Sequence, residues 1–239
     1  MNASYRGTHL QLEVLTLAAR ATRPVVAPET EEAVVVLLAG EVEWGGTRAS
    51  RNDVFDAPAS AVYLPPGTAI GVTAHKQTDL ALITTVDCHL EEGGGEPTFV
   101  APDDVRVNRR GKPGWQRDVH DIVNDRVAAQ QLIVGETFNE PGQWSSYPPH
   151  KHDGTNGEPA LEEVYYYRFD QPSGFGFQGL YDESGNERAV FLRHGAIVGI
   201  PRGYHPVCAA PGYRLYYLWA LVGRPRQLAM YEDPAHRWL

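Results

Sequence analysis

The chain has 239 residues, 42% of them hydrophobic, which is enough for one large β domain or two small ones. Its formal net charge of -9 argues against a nucleic-acid-binding surface, which needs clustered lysine and arginine. No apolar run reaches the roughly 18 residues of a membrane span, and no signal-peptide hydrophobic region opens the chain. Cys88 and Cys208 are too few for a disulfide framework. We therefore expect a cytoplasmic protein without membrane or nucleic-acid partners.

The first part of the chain is predicted to be all-β. Strands are predicted at residues 10–17, 33–39, 61–64 and 80–85. The first alternates apolar and polar side chains, the second is a β-branched apolar run, and Gly45 with Gly46 indicates a hairpin turn. No 3.6-residue periodicity longer than two turns interrupts this pattern.

A glycine-rich segment at residues 91–97 is the predicted boundary between two halves, 1–95 and 96–239. After it comes a polar stretch at residues 106–116, which carries Arg109, Arg110 and Lys112. We interpret this stretch as a solvated loop, with a loop that approaches a ligand as the alternative.

The second half is also a succession of predicted strands. They are placed at residues 129–138, 144–150, 163–169, 175–181, 189–192, 196–200 and 213–221. Many short strands with turn-rich connections are typical of a sandwich or barrel.

An internal similarity suggests that the barrel occurs twice. Residues 60–69 and 196–205 share a strand, a Pro-x-Gly turn and an exit. In the first copy Ala69 stands where the second has His205, and no His-x-His pair precedes it. The N-terminal half is therefore predicted to be a degenerate barrel without metal that acts as scaffold.

A group of potential metal ligands marks the second half. His150 and His152 share one face if their strand is extended, Glu162 and Glu163 open the next predicted strand, and His205 follows the Pro-x-Gly turn. A single histidine is more often structural, but this set favours a metal site. The order His-x-His, carboxylate, histidine is that of cupin metal sites.

Longer motifs around these residues resemble one family. They are Trp144-Ser145-Ser146-Tyr147-Pro148-Pro149-His150-Lys151-His152-Asp153, Leu161-Glu162-Glu163 with Tyr165-Tyr166, Phe177-Gln178, Pro201-x-Gly203-Tyr204-His205-Pro206, and Arg117 with His120. The chain is similar here to the 5-deoxy-glucuronate isomerases of inositol catabolism, relatives of the uronate ketol-isomerases of pectin breakdown. The resemblance is strong over most of the second half and weak over the first.

The resemblance implies two cupin barrels (double-stranded β-helices, or jelly rolls) in one chain, with a divalent metal in the C-terminal one. The implied metal ligands are His150, His152, Glu163 and His205. Glu163 is preferred to Glu162 because the related isomerases have a Glu-x-Tyr-x-Tyr pattern. Zinc is favoured by analogy, although manganese, iron, nickel and cobalt accept similar ligands.

The activity implied is that of an aldose–ketose isomerase, an intramolecular oxidoreductase, converting 5-deoxy-glucuronate to 5-dehydro-2-deoxy-gluconate. Tyr165 shares the face of Glu163 on a regular strand and is the candidate acid/base or oxygen-orienting group. Arg117 and Arg168 are candidates for the carboxylate of the sugar acid. Gln178 is a further substrate-binding candidate.

Three positions depart from the family pattern. Tyr167, Gly179 and Trp219 stand where the family tends to have histidine, arginine and asparagine, which leaves the substrate open. The alternatives are an Fe(II)-dependent cupin dioxygenase and a non-catalytic sugar-binding cupin. The oligomeric state, including a homo-oligomer, is also left open.

Overall fold

The computed structural model describes residues 3–91 and 95–239, and this part of the chain is all-β, as predicted. Its helical elements are two 3-10 turns, Pro102–Asp104 and Pro234–His236. Within the described residues there is no helix of the length and hydropathy that a membrane crossing requires.

The first group of strands forms a nine-stranded sheet. Its members are β1 (Ala3–Arg6), β2 (Leu10–Leu17), β3 (Thr22–Val26), β4 (Ala33–Trp44), β5 (Thr47–Arg51), β6 (Ala61–Leu64), β7 (Ala69–Ala74), β8 (Thr78–Thr85) and β9 (Thr98–Val100). Strand β4 lies between β8 and β6 and is antiparallel to both. The predicted hairpin at Gly45 and Gly46 joins β4 to β5. The core cluster of these strands is almost wholly aliphatic, with Trp44 as its aromatic member.

The remaining strands form three further sheets. They are β10 (Arg106–Arg110), β11 (Arg117–Val123), β12 (Leu132–Asn139), β13 (Trp144–Ser145), β14 (His150–Lys151), β15 (Ala160–Phe169), β16 (Phe175–Tyr181), β17 (Glu187–Arg193), β18 (Ile197–Ile200), β19 (Val207–Ala209), β20 (Leu215–Arg224) and β21 (Tyr231–Glu232). The six-stranded sheet has the order β10-β11-β12-β20-β15-β18.

The chain divides into two compact units. The first is Met1–Arg106 with Ile122–Leu132, and the second is Val107–Asp121 with Ile133–Leu239. The second unit thus begins after the predicted boundary, because β9 pairs with β6 and keeps the chain in the first unit past residue 95. Part of the predicted linker, residues 92–94, lies outside the described residues.

Two local predictions were wrong. Residues 144–150 do not form one strand, because Ser146 has a positive φ of 47° and the extended backbone ends there. Residues 106–116 are not all loop, since their first five form β10, which pairs with β11. Strands β13 and β14 are short, and their partners β19 and β21 are distant in sequence. Strand β10 is polar in composition, which resembles a loop.

The internal similarity corresponds to a repeated strand arrangement. The order β8-β4-β6 in the first unit matches β20-β15-β18 in the second. In β15 the residue opposite Ile200, just before the Pro-x-Gly turn, is Glu163. In β4 the residue opposite Leu64, just before the equivalent turn, is Ala33. The first unit therefore has alanine where the second has its carboxylate.

A buried carboxylate holds the first unit together. Glu32 is fully buried and accepts four hydrogen bonds. Its Oε2 accepts from the Tyr63 hydroxyl and the Gln130 N–H, each at 2.8 Å. Its Oε1 accepts from the N–H groups of Gln131 at 2.8 Å and Leu132 at 2.6 Å. Residues 130–132, which return to this unit, are thus tied to the start of β4.

Replacing Glu32 with alanine should destabilise the fold, because three backbone N–H groups lose their acceptor. At about 1–3 kcal/mol for each unpaired buried group, the loss is about 3 kcal/mol or more. The melting temperature should fall by about 6–12 °C for a chain of this size. The control is Glu29→Ala, which removes the same charge from an exposed position. Equal melting temperatures for the two variants would contradict this role.

Candidate metal centre

Strand β15 supplies the carboxylate of the site. It pairs along its whole length with β20 and along its middle with β18, so its side chains alternate strictly between two faces. Glu163, Tyr165 and Tyr167 share one face and are buried, whereas Tyr166 and Arg168 share the other. The structure therefore places Glu163, and not Glu162, on the face that carries Tyr165.

The first two histidines follow the break after β13. His150 begins β14, where it pairs with Glu232 of β21. His152 lies just beyond β14, and its carbonyl accepts from the Leu161 N–H at 2.8 Å, next to the start of the carboxylate segment. Both histidines reach the site, although they do not share one continuous strand.

The third histidine is placed by a tight turn. Gly203 has a φ of +86°, and a Cβ there would lie 2.6 Å from the Tyr181 carbonyl oxygen, so only glycine is accommodated. The carbonyl oxygen of Gly203 lies 2.9 Å from Nδ1 of His205. The turn therefore fixes both the position of His205 and the orientation of its ring.

All three histidines direct Nδ1 at a backbone carbonyl. The partners are Pro148 for His150 at 3.3 Å, Leu161 for His152 at 3.3 Å and Gly203 for His205 at 2.9 Å. A carbonyl only accepts hydrogen bonds, so Nδ1 must carry the proton and the lone pair lies on Nε2. This is the tautomer that metal-binding histidines adopt when their other nitrogen is hydrogen-bonded.

Glu163 lies against two of these Nε2 atoms. Its Oε2 is 2.9 Å from Nε2 of His152 and 3.3 Å from Nε2 of His205. At His205 the geometry makes no hydrogen bond, so this buried nitrogen has no partner. Since the carboxylate and both nitrogens present lone pairs, the arrangement is favourable only with a cation or a proton between them.

The protonation equilibria agree with this arrangement. Burial lowers the pKa of His150 and of His205 to about 3, so both are neutral at pH 7. Burial also opposes the charged form of His152, but the adjacent Glu163 outweighs it and raises the pKa of His152.

The donor set suits a divalent metal. His150, His152 and His205 form a group of potential metal ligands among the described residues. Their ligand atoms all lie within 4.8 Å of one another. Two nitrogens bound at about 2.0–2.1 Å lie at most about 4.2 Å apart, so a small contraction is enough. Three imidazoles and a carboxylate accept several first-row metals, and the identity of the ion is not fixed by the site.

Lys151, between the two histidines, points away from the site. Its side chain is 2% exposed, and Nζ donates to Asp153 Oδ1 at 2.9 Å and to the hydroxyl of Thr155. Nζ also lies 3.6 Å from Glu158 Oε1 and 5.5 Å from the ring centroid of Tyr231 in β21. This buried cation links β14 to the loop after His152 and to β21.

A cavity in the second unit is lined by His150, His152 and Glu163. Tyr165 lines it, and the Tyr165 hydroxyl lies 3.0 Å from Oγ of Ser146. Trp219 also lines it and donates from Nε1 to Thr137 Oγ1 at 3.0 Å. The positively charged residues at the cavity are Arg110 and Arg117.

The other predicted substrate-binding residues do not line this cavity. Arg168 lies on the opposite face of β15, where its Nε donates to the Tyr166 hydroxyl at 3.0 Å. Gln178 is fully buried and accepts from the Tyr167 hydroxyl at 2.9 Å. Strand alternation from Glu163 would have excluded Arg168 on sequence alone.

Sequence reasoning missed several cavity residues, among them Arg110, Ser146 and Tyr217. Arg110 was noted only as part of a polar stretch, and its position depends on β10, which the sequence did not predict. Ser146 lies in the most specific motif of the chain, and that was the signal available for it.

A model of the KduI/IolB family matches residues 1–239. The chain belongs to this family. It is 36% identical over 220 residues to the 5-deoxy-glucuronate isomerase of Geobacillus kaustophilus, covering 87% of this chain and 78% of that protein. Identity to the 5-deoxy-glucuronate isomerase of Bacillus subtilis is 34% over 247 residues, covering 97% and 88%. The predicted family resemblance is thus confirmed.

Solved structures confirm the predicted fold of two cupin barrels. An IolB-like protein from Salmonella typhimurium superimposes with a TM-score of 0.86 at 33% identity, over 97% of this chain and 90% of that one. An oxalate decarboxylase from Lactobacillus farciminis gives a TM-score of 0.68 at 12% identity, over 95% and 80%. The second likeness concerns the fold alone.

We expect one metal ion per chain. The second unit offers three histidine nitrogens and a carboxylate, whereas Ala33 and Ala69 stand at the corresponding positions of the first unit. Elemental analysis of the purified chain should give a stoichiometry near one, falling towards zero in His205→Ala. Two ions per chain, or unchanged metal in that variant, would contradict the assignment.

Proposed function

We propose that this chain is a metal-dependent aldose–ketose isomerase that acts on a deoxy-uronic acid. The favoured reaction converts 5-deoxy-glucuronate to 5-dehydro-2-deoxy-gluconate in myo-inositol catabolism. The observation that carries the proposal is the grouping of three histidines around Glu163, at a cavity lined by His150, His152, Glu163, Tyr165 and two arginines. Relatives named 5-deoxy-glucuronate isomerase support the choice of substrate. The free thiols of Cys88 and Cys208 agree with a cytoplasmic location.

The reaction rearranges hydrogen without changing composition. A proton leaves the hydroxyl-bearing carbon beside the aldehyde and is delivered to the former aldehyde carbon, while the hydroxyl proton moves to the neighbouring oxygen. The barrier lies in the negative charge that develops on the two oxygens. When bound, a divalent metal, with zinc favoured by analogy, supplies Lewis-acid chemistry for such oxygens.

His150, His152, Glu163 and His205 would hold the metal. The carbonyl partners of the three imidazoles keep the rings oriented, so the site needs little rearrangement on binding. The carboxylate also offsets part of the charge of the ion, which leaves the site positive enough to attract an anionic substrate.

Tyr165 would act on a substrate oxygen as a donor. Burial, together with the charge of Glu163, raises the pKa of Tyr165 well above its ordinary value. The hydroxyl is therefore protonated at neutral pH, and it lies 3.0 Å from the Ser146 hydroxyl, which can accept or donate. A positioned, protonated phenol supplies a hydrogen bond or a proton to an oxygen that becomes negatively charged.

The proposal is tested by assaying the keto acid formed from 5-deoxy-glucuronate. We expect turnover that a chelator abolishes and a divalent metal restores. Glu163→Gln should lower turnover at least 100-fold, since loss of a ligand exceeds the 10- to 100-fold effect of outer residues. Glu162→Gln, its neighbour on the opposite face, is the matched control and should retain activity. Oxygen consumption with no isomerisation would favour a dioxygenase, and binding without turnover a sugar-binding protein.

His152→Ala separates a catalytic from a structural metal. We expect metal content and turnover to collapse while the melting temperature stays within a few degrees, because a chain of this size derives its stability from apolar burial. Differential scanning calorimetry and elemental analysis on the same preparation measure both. If the variant unfolds and the turnover of wild type does not depend on metal, the site has a structural role instead.

A further inference from the structure

Two arginines from one hairpin line the cavity beside the metal ligands. Arg110 ends β10 and Arg117 begins β11, and these strands pair in the six-stranded sheet. Both line the cavity that contains His150 and Glu163. Of the charged residues at this cavity, Glu163 is the only carboxylate among the described residues, and it faces the histidines.

Arg117 is held in place by the turn that precedes it. Its guanidinium carbon lies 5.6 Å from the ring centroid of Trp115, and Nη1 donates to the Trp115 carbonyl at 3.3 Å. Guanidinium has five N–H donors in a planar fork, so most of its donors are left for another group. Trp115 in turn packs edge-on against Tyr147, in the motif that leads to His150.

Neither arginine is neutralised by a carboxylate within residues 3–91 and 95–239. Asp118 and Glu140 line a second cavity together with both arginines, but each is paired with another residue. Asp118 lies 3.5 Å from Arg109, and Glu140 lies 3.2 Å from Arg214. Two cations that share a cavity and are not ion-paired repel one another, and a bound anion removes that cost.

The two arginines share their cavity with the metal-ligand residues. Tyr165, Tyr217 and His150 line it together with Arg110 and Arg117. An anion between the arginines would thus lie in the same cavity as Tyr165 and the histidines.

We propose that Arg110 and Arg117 form a carboxylate-binding pair that selects acidic over neutral sugars. The identity of the reaction rests on the proposed function, but the preference for an anion does not. Arg110 and Arg117 are then the specificity-determining residues, in place of Arg168, whose guanidinium lies on the opposite face of β15 and contacts Tyr166.

The test is equilibrium binding by calorimetry to the zinc-loaded full chain. The probes are D-glucuronate, a stable uronic acid, and glucose, its neutral counterpart. We expect wild type to bind glucuronate at least 10-fold more tightly than glucose. Arg110→Gln and Arg117→Gln should each weaken glucuronate binding about 10- to 100-fold, the range for a hydrogen bond to a charged group, and leave glucose binding unchanged.

Arg109→Gln is the matched control. It removes the same charge from the neighbouring residue, whose side chain is 87% exposed and is not among those lining the cavity of His150 and Glu163. We expect this control to bind both probes as wild type does. Melting temperatures equal to that of wild type will show that each variant is folded, and Arg117→Lys provides a second, charge-conserving variant that should recover part of the affinity.

Several outcomes would contradict the proposed role of Arg110 and Arg117. They are a wild type without preference for glucuronate, unchanged binding in Arg110→Gln and Arg117→Gln, or an equal loss in Arg109→Gln. Turnover separates this result from the proposed function. An anion preference lost in Arg110→Gln, with no isomerisation of 5-deoxy-glucuronate by wild type, retains the pair and rejects the isomerase. Isomerisation with an unchanged KM in both variants retains the isomerase and rejects the pair.

Discussion

The pairing of β15 with β20 is the constraint on which the site depends. All ten residues of β15 have partners on β20, and four also have partners on β18. A slip of one residue would send Glu163 and Tyr165 to the opposite face and bring Glu162 and Arg168 inward. Because hydrogen bonds on both edges fix the register, the carboxylate has one available position. The histidines are then assembled around it from a broken strand and a glycine turn.

The two units share one strand arrangement but differ in the side chains of their interiors. The interior of the first unit is aliphatic, so its central strand needs no polar partners inside the barrel. The interior of the second unit contains tyrosines and a tryptophan, and each buried polar group must be satisfied. Tyr167 donates to Gln178, Tyr217 to Ser145 and Trp219 to Thr137. These bonds hold aromatic side chains rigidly around the cavity, which preorganises its walls.

Two of the three departures from the family pattern belong to this packing. Trp219 occupies the space beside Gly135, where a Cβ would lie 2.2 Å from the indole ring, so a larger residue at 135 and Trp219 are incompatible. Tyr167 is fully buried and hydrogen-bonded to Gln178. At Gly179 a Cβ would make an ordinary contact of 3.5 Å with the ring of Pro206, so nothing in the packing explains the glycine there. Tyr167 and Trp219 thus shape the interior rather than supply free charges to it.

Sequence reasoning succeeded where structure is local. Alternation and β-branched runs located β2, β6 and β16, and the His-x-His, Glu and His motifs carry their spacing in the chain itself. Edge strand β10 was missed because its arginines resemble a solvated loop, and only its pairing with β11 shows otherwise. Arg110 was missed for the same reason. The break at Ser146 depends on its positive φ, and a serine in the sequence does not predict that conformation.

The pairing of β14 with β21 has a consequence for biogenesis. Every residue of the first unit precedes His150, so that unit can fold while the rest of the chain is still being translated. His150 and Lys151, by contrast, have no strand partner until Tyr231 and Glu232 have left the ribosome. A nascent chain stalled before residue 231 would contain every residue of the first unit, whereas its candidate metal centre would lack the pairing of β14 with β21. The candidate centre therefore obtains all of its strand pairings only at the end of synthesis.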